Sequence, residues 1–239
     1  MGATSSFDDP GVAAAYAKWR ARDLSWLLGY PFLFRALEPG SDGGARGPML
    51  DVGCGHGEVA VEVARRFASP VVAVDASPAM LEVARREHAH PSVTYHQAEG
   101  RRLDFLDTAS MAAAYSAFVL LMQPSRAAIQ ALADEVGRVL RPGARFAVLD
   151  IDHSRSTILA RRPAAEGEQI TVQVGDTEIH DYYWLPGTYT EILERAGFAD
   201  VAVEWLTWEG IADPVLFSWR DRAPGPVTCS LVVLSGTRR

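Results

Sequence analysis

The chain has 239 residues, 48% of them hydrophobic, and a formal charge of −7, with 23 Lys and Arg against 30 Asp and Glu. That length and composition fit one fairly large α/β domain, and the acidic balance argues against a nucleic-acid partner, which clustered Lys and Arg would have to hold. Two cysteines, Cys54 and Cys229, at a spacing that suits neither zinc nor a disulfide framework, no signal-peptide pattern and no apolar run near ~18 residues point to a cytoplasmic chain with no membrane partner.

After a short polar start, Asp9-Pro10 offers a helix cap followed by proline at the first helical position. Val12, Tyr16 and Trp19 then recur at helical spacing as one apolar stripe. A second helical stretch runs from Leu24, breaks near Gly29-Tyr30-Pro31 and resumes through Phe32, Leu33, Ala36 and Leu37. Both stretches precede the first strand and can lie across the open end of a sheet. The Gly-rich stretch 39–48 reads as a linker.

Met49-Leu50-Asp51-Val52-Gly53-Cys54-Gly55-His56-Gly57 organises the rest. Apolar residues flank a carboxylate and run into three glycines on alternate positions, followed by the helix-spaced set Val59, Ala60, Val63, Ala64 and Phe67. This reads strand, tight turn, helix. Glycine lets the turn take positive φ and come close to a ligand, while the helix start turns free N–H groups towards it. A dinucleotide fingerprint places its third glycine three residues after the second; Glu58 stands there, and its charge would repel a pyrophosphate.

Val71 to Val74 is a continuous apolar run ending in Asp75, as in a strand buried on both faces. Asp75 lies 22 residues after Gly53, placed either to accept hydrogen bonds from both ribose hydroxyls of an adenosine or simply to cap the helix opened by Ser77-Pro78. Val93 to Gln97 reads as a third strand. Met111 to Met122 is almost wholly apolar and reads as a fourth, running through Ser116-Ala117-Phe118 and ending at Val119 and Leu120. A helix follows Pro124 with Ile129, Leu132, Ala133, Val136 and Leu140 on one face, and Arg141-Pro142-Gly143 turns into a fifth strand, Arg145 to Ile151. Ile170, Val172 and Val174 alternate before Gly175-Asp176-Thr177, and Glu178 to Trp184 can return as a hairpin. His153 and His180 are candidate bases there, each with an alternative reading as a surface or structural residue, and Tyr182, Tyr183 and Trp184 are candidate aromatic walls. Thr188-Tyr189-Thr190-Glu191 reads as a capping box opening a helix that Gly197 ends. Strands over Val201 to Leu206 and Thr228 to Leu234 complete the sheet.

Leu50 to Gly57 resembles the first motif of class I S-adenosylmethionine-dependent methyltransferases, a hydrophobic-Asp-x-Gly-x-Gly-x-Gly turn. Ala98-Glu99-Gly100-Arg101-Arg102-Leu103-Asp104-Phe105 is similar to a second family segment, with Glu99 for Asp and Asp104 for Pro as departures, and His56 departs mildly from a small polar residue. The likeness covers about 49–150 well and 186–235 by pattern. It implies a doubly wound, mostly parallel seven-stranded Rossmann-like sheet with N-terminal lid helices and an inserted hairpin after the fifth strand. The implied organisation is a single domain over 1–239, with lid helices over 1–40, a cofactor-binding core over 48–152, a substrate-side insertion over 153–187 and the rest of the sheet over 188–239.

The implied cofactor is S-adenosylmethionine, its product S-adenosylhomocysteine. Asp51, Gly53, Cys54, Gly55 and Gly57 would hold its amino-acid end, Asp75 and Ala76 the ribose, and Met80, Glu99, Gly100 and Phe118 the remainder. Tyr16 is the lid residue expected at the substrate. No Asn-Pro-Pro-Tyr or Asp-Pro-Pro-Tyr run of the enzymes that methylate nucleic-acid amines occurs, nor the strand-end carboxylate with which catechol-type enzymes bind metal, so no metal is expected. The histidine and tyrosines around the hairpin favour a small-molecule acceptor that is aromatic or planar, such as a secondary metabolite, and the sequence leaves open whether a nitrogen, an oxygen or a carbon is methylated. Two alternatives stand beside this reading: an NAD-dependent oxidoreductase and a non-catalytic S-adenosylmethionine-binding protein.

Overall fold

A computed structural model describes residues 6–20, 25–38, 47–155, 164–174, 177–206 and 231–239. Leu24, residues 39–46, Gly175, Asp176, Thr228 and Cys229 fall outside these, as does the side chain of Trp19. The N-terminal helices are α1 (Pro10–Arg20), α2 (Ser25–Leu28) and α3 (Tyr30–Leu37). Asp9 caps α1, its Oδ1 accepting the N–H groups of Gly11 at 2.7 Å and Val12 at 3.1 Å.

The glycine-rich stretch folds as read: β1 (Met49–Val52), the turn, then α4 (Glu58–Phe67). There follow β2 (Val71–Asp75), α5 (Pro78–Glu87), β3 (Val93–Gln97), β4 (Met111–Ala117), α6 (Arg126–Val139) and β5 (Leu140–Ile151). The hairpin is β6 (Gln169–Val174) with β7 (Thr177–Tyr182), a separate two-stranded antiparallel sheet. After α7 (Pro186–Arg195) come β8 (Phe198–Trp205) and β9 (Leu231–Arg238).

The seven-stranded sheet has the order β3-β2-β1-β4-β5-β9-β8. The five strands from β1 to β5 run parallel, and β9 lies antiparallel between β5 and β8. Strand order reverses between β1 and β4, and open α/β sheets bind ligands at the carboxyl ends of the strands at such a point.

Four details correct the sequence reading. β4 stops at Ala117, because Phe118 takes φ of 59°, a left-handed backbone that ends extended pairing. Leu140 belongs to β5 rather than to the face of α6, and the ladder jumps from Met111 opposite Leu140 to Ala113 opposite Arg145, so Arg141-Pro142-Gly143 is a bulge inside the strand. Thr188 opens no capping box: α7 begins at Pro186, and Glu166 Oε1 accepts both the Leu185 N–H at 3.0 Å and the Thr188 hydroxyl at 2.5 Å.

The fourth concerns the lid. Leu33, Phe34 and Leu37 of α3 are buried in one cluster with Tyr115, Ala147 and Leu149, so α3 covers a face of the sheet instead of spanning its open end. Gly29 permits the approach, since a Cβ there would sit 2.8 Å from a Leu149 methyl. α1 instead packs with Phe7 against Ala79, Met80 and Val83 of α5, beside the carboxyl edge.

Leu33 is fully buried, so Leu33→Ala removes core contacts and leaves a cavity costing about 2–5 kcal/mol. Urea unfolding should show that loss; a helix that only covered a cleft would give under about 1 kcal/mol.

Candidate active site

All three glycines of the turn take positive φ: Gly53 73°, Gly55 53° and Gly57 85°. Two of them show what this makes possible. A Cβ on Gly53 would overlap Val119 Cγ2 at 2.4 Å, so the turn lies hard against the end of β4. A Cβ on Gly55 would meet nothing within 4 Å, so the backbone there faces open space of the kind a ligand fills.

That space is a cavity of about 360 Å³ at the carboxyl edge. Asp51, Gly53, Cys54, Gly55, Asp75, Ala76, Met80, Glu99, Gly100 and Phe118 border it, as expected of the cofactor residues, and Tyr16 does too. Gly57 does not; its place at the start of α4 sets the helix direction. Phe7, Tyr30, His56, Val59, Arg101, Met122 and Gln123 also border it and were not singled out as site residues. The Gly29-Tyr30-Pro31 break marked Tyr30 locally, but nothing near Phe7 in sequence shows that its chain segment folds onto α5.

Asp75 holds the site together. Its Oδ2 accepts the Gly55 N–H at 2.7 Å and its Oδ1 the Ser77 N–H at 2.8 Å, tying the two strand-to-helix turns to each other. Burial raises its pKa, and those two N–H groups oppose the rise. Ser77, not Asp75, caps α5: its Oγ accepts the Met80 N–H at 3.1 Å and donates to the Phe7 carbonyl at 2.6 Å.

Asp51 is different. It is 3% exposed, and its Oδ2 has no hydrogen-bond partner among the described residues. Burial pushes its pKa up to about 8; the nearby Tyr115 hydroxyl opposes the shift and the Asp75 charge adds to it. An orphaned carboxylate oxygen on a cavity wall is a place for a cationic ligand group. Cys54 beside it is buried, which holds the thiol well above its usual pKa and inert. Across the cavity the Glu99 carboxylate pairs with the Arg101 guanidinium.

Aromatic rings form the opposite wall. Phe7 and Tyr16 meet edge to face with centroids 4.8 Å apart, and Tyr30 and Phe118 meet at 6.5 Å and 84°. Phe118 keeps its left-handed backbone because its N–H bonds the Leu149 carbonyl at 2.8 Å.

The expected acceptor residues of the hairpin do not border this cavity. Strand alternation turns Asp181 inward and His180 outward, where the exposed imidazole Nδ1 lies 3.4 Å from Thr171 Oγ1. Trp184 is buried behind the wall, its Nε1–H donating to the Gln123 carbonyl at 3.0 Å, while Tyr182 packs on the core and Tyr183 is half-buried. His153 is buried with Nε2 3.4 Å from Asp181 Oδ2. No cluster that could hold a metal ion occurs among the described residues.

The glycine turn, Asp75 and the Glu99-Gly100 loop thus meet around one cavity at a topological switch point, where open α/β sheets bind ligands. The family model described as "Methyltransferase domain" matches residues 49–143. The chain is 33% identical over 217 residues to N-demethylindolmycin N-methyltransferase of Streptomyces griseus, covering 85% of this chain and 89% of the relative. It belongs to the class I S-adenosylmethionine-dependent methyltransferases, and S-adenosylmethionine is its cofactor.

It is also 35% identical over 108 residues, 43% of this chain and 39% of the relative, to O-methyltransferase resE of Aspergillus sclerotiorum. The fold is shared with phosphoethanolamine N-methyltransferase 2 of Haemonchus contortus in complex with S-adenosyl-L-methionine. There the TM-score is 0.66 at 17% identity, over 99% of this chain and 60% of that one. It is shared also with an S-adenosylmethionine-dependent methyltransferase from Mesorhizobium loti, at a TM-score of 0.61, 23% identity and 91% and 99% coverage. Family membership removes the NAD reading, in keeping with Glu58 at the first position of α4.

The raised pKa of Asp51 fixes a sign. Between about pH 4 and about pH 8 the folded chain keeps a proton that the unfolded chain has lost. Ligand-free stability therefore falls as pH rises through that window, on the order of a few kcal/mol at most for this group. Asp51→Asn should flatten that part of the slope in chemical denaturation at pH 5 and pH 8.5; equal slopes for the two proteins would contradict it.

Proposed function

We propose that this chain transfers the methyl group of S-adenosylmethionine to a nitrogen of a small, flat, apolar acceptor, a secondary-metabolite class of molecule. One observation carries the reading: the cavity floored by Asp51, Asp75 and the glycine turn is walled by Phe7, Tyr16, Tyr30 and Phe118. Two features support nitrogen. The Streptomyces griseus relative, matched over most of both chains, is named for N-methylation. Among the described residues the one histidine bordering the cavity is His56, which belongs to the turn, and a neutral amine needs no base to attack, whereas a phenol does.

The cofactor, when bound, supplies a methyl already activated on a sulfonium. The protein's work is to align the acceptor and keep water out. Asp75 has lone pairs left on both oxygens for the ribose hydroxyls after accepting from Gly55 and Ser77. Asp51 offers its unpartnered oxygen to the ammonium of the amino-acid end. The main chain of Gly53, Cys54 and Gly55 lines that end. Ala76, Met80 and the Glu99-Gly100 loop lie along the adenine, with Glu99 leaving Arg101 to accept from the amino group. Tyr16, Tyr30 and Phe118 present ring faces to a planar acceptor.

His153 with Asp181 stands behind the wall as the base candidate that an oxygen acceptor would require. The hairpin supports this wall, since Ile179 packs with Phe7, Tyr16 and Met122, and so it acts on acceptor choice through β7 rather than through Tyr182, Tyr183 or Trp184.

Calorimetry with S-adenosylhomocysteine tests the cofactor half: Asp75→Ala should weaken binding roughly a hundredfold, as expected for two lost charge-assisted hydrogen bonds. Labelled cofactor offered with indole-bearing amines and matched phenols tests the other half, with mass spectrometry locating the methyl group. Methyl transfer to the phenols alone would overturn the nitrogen assignment.

A further inference from the structure

Asp51, Asp75 and Glu99 serve the cofactor in the reading above, and the Ser77 hydroxyl is held between Met80 and Phe7. Gln123 has no role in that reading. It is the one carboxamide bordering the cavity among the described residues, and it stands directly after Met122, which packs with Phe7 and Tyr16 of the aromatic wall.

The fold holds Gln123 at three points. Its N–H donates to the Leu120 carbonyl at 3.0 Å, its carbonyl accepts from Trp184 Nε1 at 3.0 Å, and its side-chain Nε2 donates to the Val119 carbonyl at 3.1 Å. The third bond settles which way round the amide lies, because two carbonyl oxygens cannot share a hydrogen bond. Nε2 is the end on Val119, itself on the cavity border, and Oε1 is the end left over, with no hydrogen-bond partner among the described residues. The half-buried Gln123 thus brings an oriented, neutral oxygen to the edge of the cavity beside the aromatic wall.

We propose, on the nitrogen reading above, that Gln123 Oε1 accepts an N–H of the methyl acceptor, and that the substrate is therefore a primary or secondary amine. Such a nitrogen keeps a hydrogen for Oε1 while its lone pair faces the methyl group. As the N–C bond forms and the S–C bond breaks, the positive charge passes from sulfur to nitrogen; the product is an ammonium, which gives up its extra proton to solvent. An N–H on a nitrogen that is becoming cationic bonds a carbonyl oxygen more strongly than a neutral one does. The contact gains strength on the way to the transition state, so it speeds the reaction rather than only tightening binding. The same oxygen disfavours two other acceptors: a tertiary amine has no N–H to give, and a phenolate presents only lone pairs. Trp184 acts on the reaction from behind the wall, by holding the Gln123 main chain.

Steady-state kinetics with labelled cofactor and matched secondary and tertiary indole-bearing amines test this in Gln123→Met, which keeps the length of the side chain and removes the amide. On the secondary amine kcat should fall roughly tenfold or more, the scale of one hydrogen bond to a charged group. Its KM, and the affinity for S-adenosylhomocysteine by calorimetry, should stay within about twofold, which also shows that the variant is folded. Turnover of the tertiary amine, lower in the wild type, should stay within about twofold, so the preference between the two amines shrinks.

An unchanged kcat on the secondary amine, or equal losses for the two amines, would overturn the assignment while leaving N-methylation in place. If Gln123→Met does not fold, Trp184→Phe keeps a ring in the core and removes the N–H on the Gln123 carbonyl. It should lower kcat on the secondary amine by a smaller factor with the same selectivity, and an unselective or absent loss would again overturn the assignment. A wild-type chain that methylates phenols alone would overturn the nitrogen reading and this assignment together.

Discussion

The two hydrogen bonds accepted by Asp75, from Gly55 at 2.7 Å and from Ser77 at 2.8 Å, are the constraint on which the rest of the site depends. They brace the turn after β1 against the turn after β2, two loops whose strands pair in parallel but whose helices leave separately. Without the brace a backbone with three left-handed glycines would have many conformations to lose on binding. With it, the open space over Gly55 is already shaped before a ligand arrives, and the cost of ordering the loop falls on folding rather than on binding.

The same brace reaches the acceptor side. Ser77 is held by Asp75 through its N–H, caps α5 with its Oγ and gives that hydroxyl's proton to the Phe7 carbonyl. Phe7 in turn carries Tyr16 on its ring edge. The segment 75–77 thus links the glycine turn to the aromatic wall of the cavity through hydrogen bonds of 2.6–3.1 Å. On the other side Phe118, strained at φ of 59°, meets Tyr30 where α3 leaves the sheet. Strain of this kind costs of order 1–3 kcal/mol and persists when its surroundings fix it; here the Leu149 carbonyl and the packing of α3 do so.

The sequence made the cofactor half legible because that half is local. Strand, glycine turn and helix are contiguous from Met49 to Phe67, and Asp75 ends an apolar run, so period and turn chemistry were enough to place them. The acceptor half was not, because it is assembled from segments far apart in the chain. β4 could not be ended from composition, since Phe118, Val119 and Leu120 are as apolar as the strand before them. The capping box at Thr188 fitted a local rule, yet Glu166, 22 residues upstream, takes the Thr188 hydroxyl and the Leu185 N–H. In β7 the aromatic residues drew attention, but alternation gave the inward position to Asp181, and only the pairing register of the hairpin decides which set faces in.

Buried acids along the carboxyl edge separate structural from functional roles by how they are satisfied. Asp150 is fully buried, and both its oxygens accept backbone N–H groups, Oδ2 from Leu121 and Oδ1 from Ile151, each at 3.0 Å. Burial still holds its pKa well up, but its oxygens are engaged within the fold, and it serves to pin the short turn that carries Met122 to the cavity wall. Asp75 is engaged by two N–H groups, yet it is only partly buried and borders the cavity, so it both builds the site and faces it. Asp51 keeps an oxygen with no partner at all among the described residues. A buried acid with an unpartnered oxygen is costly to a folded chain, which here keeps it protonated up to about pH 8, and a cation beside it would favour the ionised form. The three acids thus run from fully engaged to open, and the open end of that series lies against the glycine turn.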